Sequence, residues 1–443
     1  MTMAPPSSAS FLPRIYFLRL PVASLASEYS QLETHLGRCA GLGFDHVLLS
    51  PPADAGAVER MAKLCASQGL GLLLDVAPAG PGETLLQSNP AWFASDDPDP
   101  LPDPRKPPGR PAPRPLLERE EVAAGISRYW QEQLAAWTGA GVAGFRCLAL
   151  ARAPASFWRA LIGVARAANP DSHFLAWTPG CSPQALEALE GCGFDASFSS
   201  QAWWDYRSRW LVEEYERLLR IAPPVAFPDP PGQAVLARLP GYDALEARRR
   251  IFRRALFLAA ATGNGLLVPM GFEYGLSYPA AAYGRDGPGF EWLRTHAAFD
   301  LSEEIREANG FVAGQGAQWH RARLSMPGGV QSGLALLLRQ STQEGREALL
   351  VAANADTAHP LEVAGSQLLE RTGGLVRQQR LWPDPGPAAP GGAPLQLEPA
   401  GLRLYAARRM APVLAPPPPE AETVAGGTPV PPIAMEGVFP GLG

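Results

Sequence analysis

Short apolar runs alternate along the chain with stretches of helical periodicity. Runs rich in Val, Ile, Leu and Phe read as strands at Arg14–Leu20, His46–Ser50, Gly71–Val76, Gly144–Leu150, His173–Trp177, Phe194–Ser199, Pro224–Phe227 and Gly265–Met270. Between them, Glu28–Ala40, Val58–Gln68, Glu118–Thr138, Ala155–Ala168 and Ala244–Thr262 repeat their apolar positions at helical spacing. Eight βα units over about 310 residues predict an α/β fold, a (β/α)8 TIM barrel.

The pattern changes twice. The insert at 95–115 is Pro-rich (DDPDPLPDPRKPPGRPAPRP), cannot donate to a sheet ladder, and reads as an extended loop over the barrel mouth. From about Gln318 the chain turns to β-rich alternation at Gly333–Arg339, Ala348–Ala353, Leu361–Val363, Pro394–Glu398 and Gly401–Ala407, predicting a small antiparallel β-sandwich. From Ala411 the text becomes APVLAPPPPEAETVAGGTPVPP, which is linker composition. The expected organisation is a barrel over 1–317, a sandwich over 318–410 and a Pro-rich tail over 411–443.

Composition narrows the function classes. With 46% hydrophobic and 18% charged residues the chain can bury a large core. A net charge of −5, with no basic stripe, argues against a nucleic-acid partner. The 48 prolines and 45 glycines exceed average usage of roughly 5% and 7%. Many of the prolines lie in the insert and the tail. Cys39, Cys65, Cys147, Cys181 and Cys192 show no CxxC and no His pairing, so they read as free thiols of a reducing compartment. No signal peptide is expected, because the Phe11–Leu20 stretch is short and broken by Arg14 and Arg19. No run approaches a membrane span of roughly 20 residues, so a cytoplasmic location is expected. The six histidines are not spaced for a metal, and phosphate-binding glycine loops are absent, so no cofactor is expected.

Catalytic side chains of such barrels sit at the C-terminal strand ends. Gly144-Phe145-Arg146-Cys147-Leu148 resembles the fourth-strand motif of the α-amylase superfamily (glycoside hydrolase family 13), Gly-Phe-Arg-x-Asp, whose Asp is the nucleophile. Here that position holds Leu148. The resemblance is strongest to the bacterial α-1,4-glucan:maltose-1-phosphate maltosyltransferases. FRCLALARAPASFW, Phe145 to Trp158, runs in register with their Phe-Arg-Val-Asp-Asn-Pro-His-Thr-Lys-Pro-Phe-Pro-Phe-Trp, with Ala153 replacing the lysine. PDSHFLAW, Pro170 to Trp177, is similar to Pro-Asp-x-x-Phe-Leu-Ala-Glu, so Trp177 stands where the acid/base Glu is implied. FPDPPG, Phe227 to Gly232, is similar to Trp-Pro-Asn-Thr-Pro-Asp, which puts Gly232 at the third carboxylate and Asp229 at an asparagine. LLLDVAP with Asp75, Asn89–Phe93 and Gly271–Gly275 are further matches.

Glycoside chemistry needs two carboxylates flanking the scissile bond. The resemblance therefore implies a degenerate copy with no catalytic residues, which binds α-glucan or maltooligosaccharide or partners an active maltosyltransferase. Pro432–Pro440 (PIAMEGVFP) resembles the opening of an active maltosyltransferase, which implies the front half of a two-part polypeptide. The candidate sugar contacts are Asp75, Arg146, Trp177, Trp203, Glu273 and Tyr274. Against each stands a structural role: Arg146 paired with Asp75 or a backbone carbonyl, Trp177 as filler of the vacated cavity, Glu273 as framework. Trp158 and Trp204 read the same way, Trp158 as core. Glu273 and Asp195 are the carboxylates that a rebuilt active site would recruit. Such an active hydrolase or transferase would need a carboxylate pair about 5–5.5 Å apart. A third alternative is a purely structural N-terminal module of a maltosyltransferase.

Overall fold

The computed structural model describes residues 11–19, 29–51, 55–78, 83–95, 103–106, 113–277, 290–316, 319–328, 333–341, 347–383, 385–388 and 393–409. The tail over 411–443, the boundary at 317 and 318, and most of the 95–115 insert lie outside the described residues.

Eight parallel strands form the barrel: β1 (Arg14–Phe17), β2 (His46–Leu49), β3 (Gly71–Val76), β4 (Val142–Cys147), β5 (His173–Ala176), β6 (Ala196–Phe198), β7 (Pro224–Val225) and β8 (Leu266–Pro269). They pair in the order β8-β1-β2-β3-β4-β5-β6-β7, and a bridge from Ala226 to Leu266 joins the two ends. Helices α1 (Tyr29–Gly41), α2 (Ala55–Ser67), α3 (Glu120–Gly139), α4 (Ala155–Ala168), α5 (Pro183–Ala188), α6 (Trp210–Ile221), α7 (Leu245–Thr262) and α8 (Ser302–Ala313) follow the strands in turn.

Strand alternation sorts the core into two layers. Ile15, Phe17, Leu48, Leu73, Leu175, Phe198, Val225, Phe227 and Leu267 fill the barrel. Tyr16, Val47, Leu72, Leu74, Phe145 and Phe174 point outward under the helices. Both faces are buried, so each strand is a continuous apolar run rather than an alternation. Gly144 is required at its place: a Cβ there would stand 2.5 Å from the His173 carbonyl oxygen on β5.

The C-terminal part is an antiparallel sheet domain. Strands β9 (Arg323–Ser325), β10 (Leu334–Gln340), β11 (Glu347–Asn354), β13 (Leu375–Trp382), β14 (Gly386–Pro387) and β16 (Leu402–Arg409) form a six-stranded sheet ordered β9-β10-β11-β16-β13-β14. A two-stranded sheet pairs β12 (Leu361–Val363) with β15 (Leu395–Leu397). In β10, Ala335 and Leu337 pack toward the barrel core, while Leu334, Leu336 and Leu338 join Val363, Leu395 and Leu397 in a second core. Sequence reading missed β13. Its centre, Arg377 to Arg380, is polar, and its register shifts twice against β16, which erases the alternation.

One buried cation ties the sheet to the barrel. Arg339 on β10 is fully buried, and its Nη1 donates to the carbonyl oxygens of Gly263 (2.9 Å) and Ala261 (3.3 Å) and to Gln315 Oε1 (2.8 Å). Its Nη2 donates to the Trp319 carbonyl (3.0 Å) and to Asn264. Arg254 Nη1 on α7 donates to the Asn354 carbonyl at 2.6 Å, and Phe257 stacks on Trp382 with centroids 3.8 Å apart. Among the described residues no helix is long and apolar enough to cross a membrane.

Candidate functional site

The inward positions at the C-terminal strand ends converge on one ion pair. Asp75, near the end of β3, and Arg146, near the end of β4, are both inward-facing, and Arg146 reaches back across the ladder. Its Nε donates to Asp75 Oδ1 at 2.6 Å and its Nη2 to Oδ2 at 2.9 Å. Ser50 adds a third bond to Oδ2 at 3.3 Å. Asp75 is 7% and Arg146 4% exposed, so removing either charge strands its partner in a poorly solvated layer. The guanidinium carbon also lies 4.9 Å from the Phe17 ring and 4.7 Å from the Trp177 ring, which makes a cation–π sandwich. Its Nη1 is buried without a hydrogen-bond partner.

Leu148 and Trp177 are the first residues beyond their strands, one residue past the ends of β4 and β5, rather than inside them as the sequence predicts. Leu148 N donates to the Val76 carbonyl at 2.8 Å, and Trp177 N to the Cys147 carbonyl at 3.0 Å. Both side chains are half-buried. Trp177 stacks on Phe227 (5.3 Å, 18°) and tilts against Phe198 (5.0 Å). Trp203 meets Phe227 edge-on at 5.7 Å, and its buried Nε1 has no partner. Trp177 and Trp203 thus share one aromatic wall with Phe227. Phe17 and Phe227, neither of them among the candidate contacts, point inward on β1 and just beyond β7.

Gly232 lies in the loop after β7 with φ 80°, a left-handed conformation that a side-chain-bearing residue adopts only under strain. Asp229, earlier in that loop, is buried and fully engaged. It accepts from Val235 N (3.0 Å), Leu236 N (3.2 Å) and Ser277 Oγ (2.5 Å). Burial pushes its carboxyl up to about 6, against the pull of those bonds. The group therefore acts as a loop clasp.

Glu273 belongs to different surroundings. It is fully buried beyond β8, and it accepts from Tyr16 Oη (2.7 Å) and Gly271 N (2.9 Å), with Arg38 Nη1 at 3.4 Å. Tyr16 is an outward residue of β1, so this carboxylate sits with the wall between barrel and helices and not with Asp75. Burial raises its pKa, opposed by Tyr16 and Arg38. Tyr274 is half-buried beneath the Arg38 guanidinium, 5.1 Å from its ring centre. Asp195 stands just before β6, where it accepts from Phe174 N (2.7 Å) and pairs with Arg166 (2.6 Å). That is the N-terminal end of the barrel, opposite the mouth. Trp158 is wholly buried, and Trp204 is buried with its Nε1 bonded to the Ser208 carbonyl.

Two donors, Arg146 Nη1 and Trp203 Nε1, are buried without partners behind these aromatic faces. Asp75 and Asp229 are both consumed by internal bonds. The half-buried rings of Trp177 and Trp203 offer faces suited to stacking on an apolar sugar face.

No family model matches the chain. Over 410 residues it is 31% identical to α-1,4-glucan:maltose-1-phosphate maltosyltransferase of Burkholderia pseudomallei (strain K96243), covering 83% of this chain and 35% of that protein. The chain thus spans about a third of the length of the curated relative it matches. The α-amylase of Geobacillus thermoleovorans, solved with acarbose, superposes with a TM-score of 0.63 at 15% identity, covering 90% of this chain and 99% of that one. AmyP in complex with maltose superposes with a TM-score of 0.58 at 14% identity, covering 89% and 96%. The chain thus has the fold of these α-amylases, a barrel with a C-terminal antiparallel sheet, and is similar in sequence to a maltosyltransferase over about a third of that protein's length.

Proposed function

We propose that this chain is a non-catalytic, maltosyltransferase-like barrel that serves α-glucan metabolism by holding maltooligosaccharide at its mouth. The observation that carries the reading is what stands at the two strand ends. Leu148 and Trp177 occupy the positions where the family resemblance calls for the nucleophile and the acid/base, and Trp177 lies flat on Phe227 and against Arg146. Retaining glycosyl transfer needs a carboxylate pair about 5–5.5 Å apart. Among the described residues, Asp75 is held at two points by Arg146, and Asp229 is taken up by Val235, Leu236 and Ser277. Replacing two carboxylates by a leucine and a tryptophan also removes the cost of burying charge.

Binding is supported separately by the exposed parts of Trp177 and Trp203, and by the acarbose and maltose held in the structural relatives. The test is titration calorimetry with maltoheptaose, followed by product analysis of the cell contents. Saturable heat in the micromolar to millimolar range, weakened by Trp177→Ala and without product, is expected. No heat with wild-type protein, and no retention on glycogen, would remove the binding role.

A further inference from the structure

The turn Asp103–Lys106, which belongs to the segment between β3 and α3, joins three barrel loops that sequence distance keeps apart. Arg105 is its centre. Its Nε and Nη2 hold Asp103 at 3.0 and 2.7 Å, which stiffens the turn. Its Nη1 reaches Glu214 Oε1 on α6 (3.3 Å) and Ser200 Oγ after β6 (3.5 Å). Its backbone carbonyl accepts from Gln233 Nε2 after β7, at 3.1 Å. After β5, Gly180 lies so close that an added Cβ would stand 2.9 Å from Lys106 Cγ. Glu214 is itself buried, with an 8% exposed side chain, and also accepts from Ser200 N at 2.8 Å. A guanidinium from the insert thus faces a carboxylate that the barrel buries.

We propose that Asp103–Lys106 is an in-chain strap, latched by Arg105 on Glu214 and Gln233, that closes the β5–β7 side of the barrel mouth. The loops it spans are those carrying Trp177, three residues before Gly180, and Trp203, three residues after Ser200. The latch consists of one ion pair, partly exposed on its Arg105 side, and a few hydrogen bonds, so local opening lies below global unfolding. Where the strap gates maltooligosaccharide, the inference rests on the binding role proposed above; the closure itself does not.

Cys181 reports the closure. It adjoins Gly180, is 9% exposed, and its thiol is pushed up to about 11 by burial, against the pull of Arg105 and Lys106. The experiment is iodoacetamide alkylation of the full chain, read cysteine by cysteine by peptide mass mapping, in wild type, Arg105→Ala and Gln233→Ala. Cys181 should label slowly in wild type and about tenfold faster or more in both variants, with Cys39, Cys65, Cys147 and Cys192 unchanged. Removing the Arg105 charge by itself would raise the thiol pKa and slow labelling, so acceleration reports opening and not electrostatics. A Cys181 rate that stays at the wild-type value in both variants, or rises only in step with the other four thiols, overturns the strap. Maltoheptaose titration of the same variants separates the two readings. If Cys181 responds but no form binds the sugar, the strap stands and the glucan role falls.

Discussion

Arg146 and Asp75 face each other in register on adjacent strands, and the guanidinium grips both carboxylate oxygens at 2.6 and 2.9 Å. The pair is a structural unit of the barrel top, held between Phe17 and Trp177. Asp75→Leu or Arg146→Met alone should cost about 3–5 kcal/mol, because each strands a buried charge, whereas the double variant Asp75→Leu/Arg146→Met should recover most of that loss. Urea midpoints of the four proteins measure the coupling. Additive losses would mean that the two groups act independently.

Asp229 makes stability depend on pH in a defined window. Its folded-state pKa of about 6 lies above the ordinary 3.8, so the unfolded chain releases this proton first. Stability from this group is complete below pH 4 and is lost as pH rises through 6, a cost of about 3 kcal/mol above that point. Asp229→Asn keeps an acceptor for Val235 and Leu236 and removes the titration. The Tm difference, variant minus wild type, should grow between pH 4 and 6 and then level off. Parallel profiles across that range would contradict the assignment.

Ala149, immediately after Leu148, holds the left-handed values φ 54° and ψ 37°. Asparagine tolerates that region far better than alanine, and the resembling maltosyltransferases carry asparagine at this place. The turn shape is one that an alanine side chain does not favour. Ala149→Asn should stabilise by about 1 kcal/mol. The check is the urea midpoint, and an unchanged or lower value would show that the turn is held without strain.

Arg339 binds the sheet to the barrel through carbonyl oxygens at Ala261, Gly263 and Trp319. Arg339→Met leaves those acceptors without a donor and should cost about 3 kcal/mol or more. Arg339→Lys should restore little, because one ammonium cannot reach the five acceptors that the two guanidinium Nη groups serve. Calorimetry should show the loss in both variants. Full stability in the lysine form would reduce the site to a simple charge.

The barrel was legible because buried parallel strands write continuous apolar runs, and the ends of β3, β4 and β5 carried recognisable words at Asp75, Arg146 and Trp177. The ion-pair role of Arg146 was also readable, since inward parity on neighbouring strands puts it beside Asp75. The surroundings of Glu273 were not, because its partners Tyr16 and Arg38 lie 257 and 235 residues away in sequence. Distance along the chain hides such pairs until the sheet closes. The Arg105 latch was hidden for the same reason, and by the proline-rich text around it, which offers no periodicity to place the turn. The strand β13 fell to bulges that break its alternation.

The central claim is that the barrel has lost glycosyl transfer, and one assay addresses it. Highly purified protein is incubated for a day with maltose-1-phosphate and a maltooligosaccharide acceptor, and chain length and released phosphate are followed. Loss of one member of such a catalytic unit typically removes about 10⁴-fold or more of the rate. The account predicts no extension above a protein-free control, and none after Leu148→Asp with Trp177→Glu, because Gly232 and Ala153 also differ from the family pattern. Extension that tracks the folded protein through its final purification step would contradict it.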